Sequence, residues 1–455
     1  MLSVNDILKA TNGKLLQGNR EADVDGISTD SRALRRGEVF LAIRGGRFDG
    51  HRFVRQVEKK ASAIIVERKI RIKKDIPIIL VRDTVQALGL IARAHRRQFQ
   101  IPIIAITGST GKTTTKEMIA AVLQKRFRVL KNIATQNNHI GVPLTLLKMN
   151  ATHEVAVLEF GTNRPGDIRW LTTIAEPTVA VFTNIGESHL ELLKTTAGVF
   201  REKFGLVRYA KALTTIVVNN DDPYLQRISR EKGEKKVVTF SVNNRADYQA
   251  KSIEFKGLDE IRFRVGNAGL FKLKTTARHN IYNAIVAICC GRLFKVGYND
   301  IKKVLSDFEA PKGRQVVLRT GKYWLIDDTY NANPVSVRSA IGTLDHLQTK
   351  GKRIFVCGDM LELGKQSQSL HRSIGRYAAE TSLDILITFG KEAGAVAQGA
   401  RDTGSKMAVH HCASVKATNN LLRRYCRAGD VILVKGSRGM KMERITDFIR
   451  KNLSN

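Results

Sequence analysis

At roughly 150 residues per domain, a chain of 455 residues holds about three domains, so a single small module is excluded. With 43% hydrophobic and 26% charged residues, and 8 Pro against 36 Gly, the composition is globular and can bury large cores; disorder and collagen-like repeats are excluded. Lys+Arg number 76 against 42 Asp+Glu, a net charge of +34, which admits nucleic acid, phosphorylated substrates or anionic membrane as partners.

Short apolar strands, Val39 to Ile43 and Ala63 to Val66, alternate with Gly-rich turns and basic connectors in the first block, residues 1–82; it reads as a small α/β domain. A helical stretch from Thr84 to Phe99 carries Val85, Leu88, Ile91 and Ala92 on one face and leads to Pro102, where a second domain begins. The central block is taken as 83–311. Its all-apolar strands, Ile103 to Ile106, Val155 to Phe160, Val179 to Thr183 and Ile216 to Asn219, alternate with amphipathic stretches, the pattern of a parallel sheet covered on both faces. The rhythm breaks near Glu309 to Gly313 and resumes with strands at Tyr323 to Ile326, Arg353 to Cys357, Ile385 to Phe389 and Val431 to Val434. That gives a third, doubly wound, Rossmann-like domain over 312–455. The predicted fold class is α/β in three domains.

The sharpest motif is Thr107-Gly-Ser-Thr-Gly-Lys-Thr-Thr114, between an apolar strand and a helical run from Lys116 to Arg126. In that setting the backbone N–H groups of Gly108, Ser109, Thr110, Gly111 and Thr114, with the positive end of the helix dipole, cradle phosphates. Lys112 neutralises them and the Thr113 hydroxyl can hold Mg²⁺. Counting back from Lys112, the general phosphate-loop pattern needs a first Gly at Ile106; here the Gly stands at 108. Glu159 ends the next strand, where a nucleotide enzyme wants a carboxylate for its metal, though a solvated strand end is the plainer reading. His189 follows the third strand at its carboxyl end, where open α/β sheets place ligands.

The compact G-x-x-G-K-T-T loop resembles that of the Mur ligases and the related folylpolyglutamate synthetases, which use ATP to join a carboxylate to an amine. Thr183-Asn-Ile-Gly-Glu-Ser-His-Leu-Glu191 is similar to the Mur ligase segment N-I-G-x-A-H-L-E, with Ser188 for Ala. The resemblance implies that Glu159 and His189 bind Mg²⁺, and that Lys203, in Phe200-Arg-Glu-Lys-Phe204, is a carbamylated metal-binding lysine; for an arbitrary lysine in so basic a chain, a solvated helix face is the alternative. It further implies that Asn280 and Asn283 read adenine, where a helix cap at Asn280 is the alternative, and that Arg314 and Asp328 approach the nucleotide.

Within the family, the dipeptide-adding branch matches best. Thr135-Gln-Asn-Asn-His-Ile-Gly-Val-Pro143 resembles its G-N-x-N-N-x-I-G-V-P, with Ala134 and Thr135 where Gly and Asn are usual and with Asn137 and Asn138 retained. Glu159 to Ile168 resembles E-x-G-x-N-x-P-G-E-I, with Asp167 for Glu. Asp327-Asp-Thr-Tyr-Asn-Ala-Asn-Pro334, Gly358-Asp-Met-Leu-Glu-Leu-Gly364 and Val434 to Glu443 agree as well. The resemblance implies ligation of D-alanyl-D-alanine to UDP-N-acetylmuramoyl-tripeptide, with ATP and Mg²⁺ as cofactors. Asn137, Asn138, Asn331 and Asn333 would bind substrate, while Ser28, Ser31 and Arg32 of a uridine-nucleotide domain would hold the UDP end. A diaminopimelate- or lysine-adding sister is the alternative within the family, although the Asp-Asn-Pro-Arg segment of the former is absent.

A nucleic-acid-dependent phosphate-loop ATPase is the alternative from another class. The basic residues are scattered from Lys9 to Lys451 with few aromatics among them, so no nucleic-acid partner is expected. The five cysteines, Cys289, Cys290, Cys357, Cys412 and Cys426, form no C-x-x-C pair and fit a reducing compartment. An acid at Asp6 and the absence of any apolar run near ~18 residues predict a cytoplasmic protein without stable membrane insertion. It is expected to be a monomer.

Overall fold

The computed structural model describes residues 2–46, 48–134, 136–212, 214–230 and 235–452; Thr135 of the Asn-rich segment lies outside them. Three larger sheets follow one another along the chain. In the first, strands Lys14–Gln17, Ile78–Leu80, Ala63–Val66, Glu38–Leu41 and Gly26–Ser28 lie side by side, parallel except for the Lys14–Gln17 edge. Helix Thr84–Arg96 stops three residues short of the expected Phe99. It serves two cores: Ala87, Leu88 and Ile91 pack with the first sheet, Ala92 with the second.

Among the described residues the central sheet has nine strands. Its parallel body runs Val129–Lys131, Val155–Glu159, Ile103–Thr107, Val179–Phe182, Thr215–Asn219, Lys236–Ser241 and Tyr248–Lys256. The strands of the body's centre are buried end to end, which is why they read as unbroken apolar runs. Strands Glu260–Val265 and Leu270–Leu273 add an antiparallel extension. Their faces alternate, buried and open, so the extension lacks the apolar blocks by which the parallel strands stand out.

The third sheet orders Val316–Thr320, Tyr323–Asp328, Val431–Lys435, Arg353–Gly358, Ile385–Phe389 and Ala408–Cys412, parallel but for its first pair. Helices cover both faces, in two core clusters. All five cysteines are free and buried. Among the described residues no helix is long and apolar enough to cross a membrane.

Candidate functional site

Strands Ile103–Thr107, Val155–Glu159 and Val179–Phe182 run parallel in adjacent register, with Ile106 opposite Glu159 and Thr107 opposite Phe182. Their carboxyl ends therefore open on one edge, and residues 108–114 leave from the middle strand. The helix that follows begins at Lys112, not Lys116: its first turn is built from the polar loop residues, which hides it from a reading of apolar periodicity. Glycine is required at two loop positions. Gly108 has φ +152° and a Cβ there would sit 1.9 Å from Thr183 Oγ1; Gly111 has φ +79° and its Cβ would meet Asn283 Oδ1 at 2.7 Å. The third strand's end holds the loop: Thr183 Oγ1 donates to the Thr110 carbonyl (2.6 Å), and Asn184 Oδ1 accepts from Thr110 N–H (3.0 Å). Ser188 donates to Ser109 Oγ (3.1 Å), which donates in turn to the Gly186 carbonyl (3.0 Å).

Around Glu159 the groups converge. Thr113 Oγ1 donates to Glu159 Oε2 (2.5 Å), Asn137 Nδ2 donates to Glu159 Oε1 (2.8 Å), and Arg314 of the third domain donates to Thr113 Oγ1 (2.8 Å). Behind the carboxylate, the backbone is clamped by Asn132, which is fully buried. Its Oδ1 accepts from Glu159 N–H (2.9 Å) and its Nδ2 donates to the carbonyls of Glu159 (3.1 Å) and Gln136 (2.9 Å). Buried Lys116 donates to the Asn132 carbonyl and pairs with Glu117 at 2.8 Å. Nothing in the chain's order marked Asn132, because its partner is 27 residues away.

The solvated-helix reading of Lys203 fails: the residue is 1% exposed, and among the described residues its amine makes no hydrogen bond or ion pair. Burial, and then the nearby Lys112 cation, push its pKa well below the ordinary lysine value against the pull of Glu202 and Glu159. Lys112 Nζ donates to the Gly108 carbonyl (2.8 Å), and burial lowers its pKa as well. His189, at φ +54°, contacts Glu362 of the third domain through Nδ1 (2.7 Å).

Lys203 lies off the wall of a cavity of about 520 Å³ that joins Lys112, Glu159 and His189 to the third domain. Its wall includes Ser109 to Thr114, Glu159, His189, Asn137, Asn138, Arg314, Asp328, Asn331 and Asn333. Arg314 also stacks on Tyr330, 3.9 Å from the ring centre, and Asp328 Oδ2 accepts from Lys435 (2.7 Å) and Gln315 (3.3 Å). His279, also on the wall, bonds Ser339 through Nδ1 (3.0 Å), and burial lowers its pKa to about 4. Asn333 caps helix Pro334–His346 by accepting from Ser336 N–H (2.8 Å), and Asn138 similarly accepts from Gly141 N–H (2.9 Å). Asn331 Oδ1 faces Arg438 N–H at 3.4 Å.

Other expected positions are not on this wall. Asn280 and Asn283 are buried and bonded inward: Thr115 Oγ1 donates to Asn283 (3.0 Å), Asn283 to Asn280 (2.8 Å), and Asn280 to Thr275 (3.0 Å). Helix His279–Leu293 takes Arg278, not Asn280, as its N-cap residue. Ser28, Ser31 and Arg32 stay in the first domain, where Ser28 bonds Asp30 and Arg32 pairs with Asp30 at 2.8 Å in the open. Among the described residues no three His, Cys, Asp or Glu side chains gather in a metal-holding group. The hydroxyl of Thr113 and the carboxylate of Glu159, at the end of a phosphate loop, are hard oxygen donors, and they fit a Mg²⁺ whose other ligands include phosphate and water oxygens.

Family models described as "Mur ligase family, catalytic domain", "Mur ligase middle domain" and "Mur ligase, glutamate ligase domain" match residues 23–96, 106–291 and 313–438. The UDP-N-acetylmuramoyl-tripeptide–D-alanyl-D-alanine ligase of Bacillus subtilis (strain 168) is 35% identical over 99% of both chains. The chain belongs to the Mur ligase family. Solved Mur ligases agree. MurF from Acinetobacter baumannii superimposes with a TM-score of 0.90 at 32% identity over 99% of each chain. MurF from Thermotoga maritima, solved with ADP, gives 0.84 at 30% identity over 94% of this chain and 98% of its own. As a Mur ligase, this protein is an enzyme that joins carbon to nitrogen, in the α/β, three-domain fold of its family.

Proposed function

We propose that this Mur ligase couples ATP cleavage to the addition of D-alanyl-D-alanine to UDP-N-acetylmuramoyl-tripeptide, in the cytoplasmic synthesis of peptidoglycan precursors, and that it acts as a monomer. The observation that carries the reading is one cavity with the phosphate loop on one wall and the Asp328 to Asn333 segment on the other. A carboxylate is a poor electrophile: its charge repels an amine and its oxygen leaves badly. Transfer of the γ-phosphoryl group makes an acyl phosphate; attack by the dipeptide amine then forms the amide and releases phosphate, with ADP as the other product. Negative charge gathers at each step, so fixed cations and N–H dipoles supply most of the stabilisation.

Lys112 and the N–H groups from Gly111 to Thr114 would hold the phosphates, beside Ser109 and Thr110, whose own N–H groups are taken by Asn184; Arg314 would close from the third domain, and Asp328 would stand near the nucleotide. Glu159, Thr113 and His189 would hold Mg²⁺, which when bound screens the phosphate charge. Burial shifts the Lys203 amine toward its neutral form, which is the form that adds CO₂ with loss of a proton; the carbamate would give that set a further anionic oxygen. Asn137 and Asn138 would meet the tripeptide, and Asn331 and Asn333 the dipeptide. Asn280 and Asn283, being buried and mutually bonded, would reach adenine only by yielding those bonds. Residues 1–82, with Ser28, Ser31 and Arg32, would take the UDP end, 83–311 the ATP, and 312–455 the dipeptide. Closure of the three would exclude water from the acyl phosphate.

Phosphate release coupled to product formation tests the reading. With ATP, Mg²⁺ and UDP-N-acetylmuramoyl-tripeptides carrying diaminopimelate or lysine, D-alanyl-D-alanine should outperform D-glutamate, L-lysine and diaminopimelate. A single amino acid used better at saturation would move the chain to a sister activity, and ATP turnover stimulated by polynucleotide would overturn the ligase reading.

A further inference from the structure

The Gly358 to Gly364 segment is not needed for the chemistry above, yet it crosses to the central domain and stops at His189. Glu362 Oε2 lies 2.7 Å from His189 Nδ1, and the same stretch is pinned on either side of that contact. The Glu362 carbonyl accepts from Glu191 N–H (3.1 Å), Gln366 Nε2 donates to the Lys194 carbonyl (2.9 Å), and a Cβ at Gly364 (φ +58°) would approach Glu191 Cα to 3.0 Å. Both members of the central pair have left-handed backbone, His189 at φ +54° and Glu362 at φ +63°. That conformation costs a non-glycine residue about 1 kcal/mol or more and persists where surrounding contacts impose it. With Nδ1 engaged, the other ring nitrogen, Nε2, is left to turn toward the cavity, whose wall includes both His189 and Glu362. A carboxylate on the far nitrogen is the arrangement that fixes a metal-binding imidazole in ring orientation and tautomer.

We infer that Glu362 is a positioning residue: carried by the third domain, it sets the His189 ring for Mg²⁺, so that the metal site reaches full affinity only when the third domain is docked. The inference rests on the reading of His189 as a metal-binding residue. Without the Glu362 carboxylate the ring can rotate about its own side-chain bonds, and the metal pays for that freedom on binding.

The test uses the full chain with a non-hydrolysable ATP analogue and Mn²⁺, whose binding is followed by electron paramagnetic resonance without turnover. Glu362→Ala should weaken Mn²⁺ about tenfold or more, the usual loss for an outer partner of a metal ligand. It should also raise the Mg²⁺ concentration for half-maximal ligation while leaving kcat at saturating Mg²⁺ within a few fold. Glu362→Gln, which keeps an acceptor oxygen, should recover part of the loss. Gln366→Ala removes one docking contact but leaves the one to His189, so it should lose Mn²⁺ affinity less than Glu362→Ala does. Equal Mn²⁺ affinity in wild type and Glu362→Ala overturns the inference, as does a loss of kcat alone. His189→Ala separates the two layers: if it too leaves Mn²⁺ affinity unchanged, the metal reading of His189 fails, whereas a loss there with none in Glu362→Ala sinks only the positioning role.

Discussion

Replacing Lys203 with Met keeps the length of the side chain and removes the amine, and the structure predicts opposite effects on stability and on activity. A buried polar group without a partner costs about 1–3 kcal/mol, and Lys203 is 1% exposed with no bonded partner among the described residues. In CO₂-free buffer at neutral pH, Lys203→Met should therefore be as stable as wild type or more stable by about 1–3 kcal/mol. The pH dependence has a definite sign. Because the folded-state pKa is depressed, the unfolded chain binds the extra proton between that value and about 10.5, and wild-type stability rises with pH across the window. The advantage of the Met variant should shrink as pH approaches the unfolded value. Ligation should fall by about a hundred- to a thousandfold, by analogy with loss of one group that stabilises transition-state charge. Urea midpoints at several pH values, paired with phosphate-release rates, measure both. A Met variant that is less stable than wild type by more than about 2 kcal/mol would mean that the amine has a structural partner after all. Turnover within tenfold of wild type would remove Lys203 from the chemistry. Lys203→Ala, which leaves space, should regain part of its activity with small carboxylic acids in the buffer.

Lys112→Ala should stay folded but lose ligation, with no rescue by acids because it lacks a cation; circular dichroism with turnover tests this, and activity within tenfold of wild type contradicts it. Asn132→Ala should cost about 2–4 kcal/mol of stability, since it strands the buried N–H and carbonyl of Glu159, and should raise the KM for ATP more than that for the dipeptide. Urea midpoints and steady-state kinetics check both. His279, lowered to about 4, should remain neutral at pH 6 by NMR titration. As pH falls from about 6.5 toward 4 the unfolded chain takes up its proton first, so stability should drop by about 3 kcal/mol, and His279→Gln should flatten that slope.

The phosphate loop was legible because its requirements are local: an apolar strand, glycines at 108 and 111, and a helix directly after. The parallel strands were legible for a similar reason, since burial on both faces leaves unbroken apolar runs. What escaped was set at a distance. Glu362 meets His189 across 173 residues and Asn132 meets Glu159 across 27, separations that no local pattern encodes. Lys203 illustrates the other limit: composition makes a surface lysine the default, and only the closing of helix Thr196–Tyr209 against the sheet puts its amine inside. Asn333 shows how one residue type serves two readings, because an asparagine before Pro334 is a helix cap by geometry whatever else its amide meets.

The five buried thiols have a practical consequence. Burial pushes Cys290, Cys357 and Cys426 up to about 12 and raises Cys289 and Cys412 as well, so almost none of the reactive thiolate exists at neutral pH. The unaltered chain is then a silent background for maleimide chemistry. One cysteine placed at an exposed position of the central domain and another on the third could carry a donor and an acceptor dye, and the swing of one domain against the other could be timed in single molecules without removing any natural cysteine.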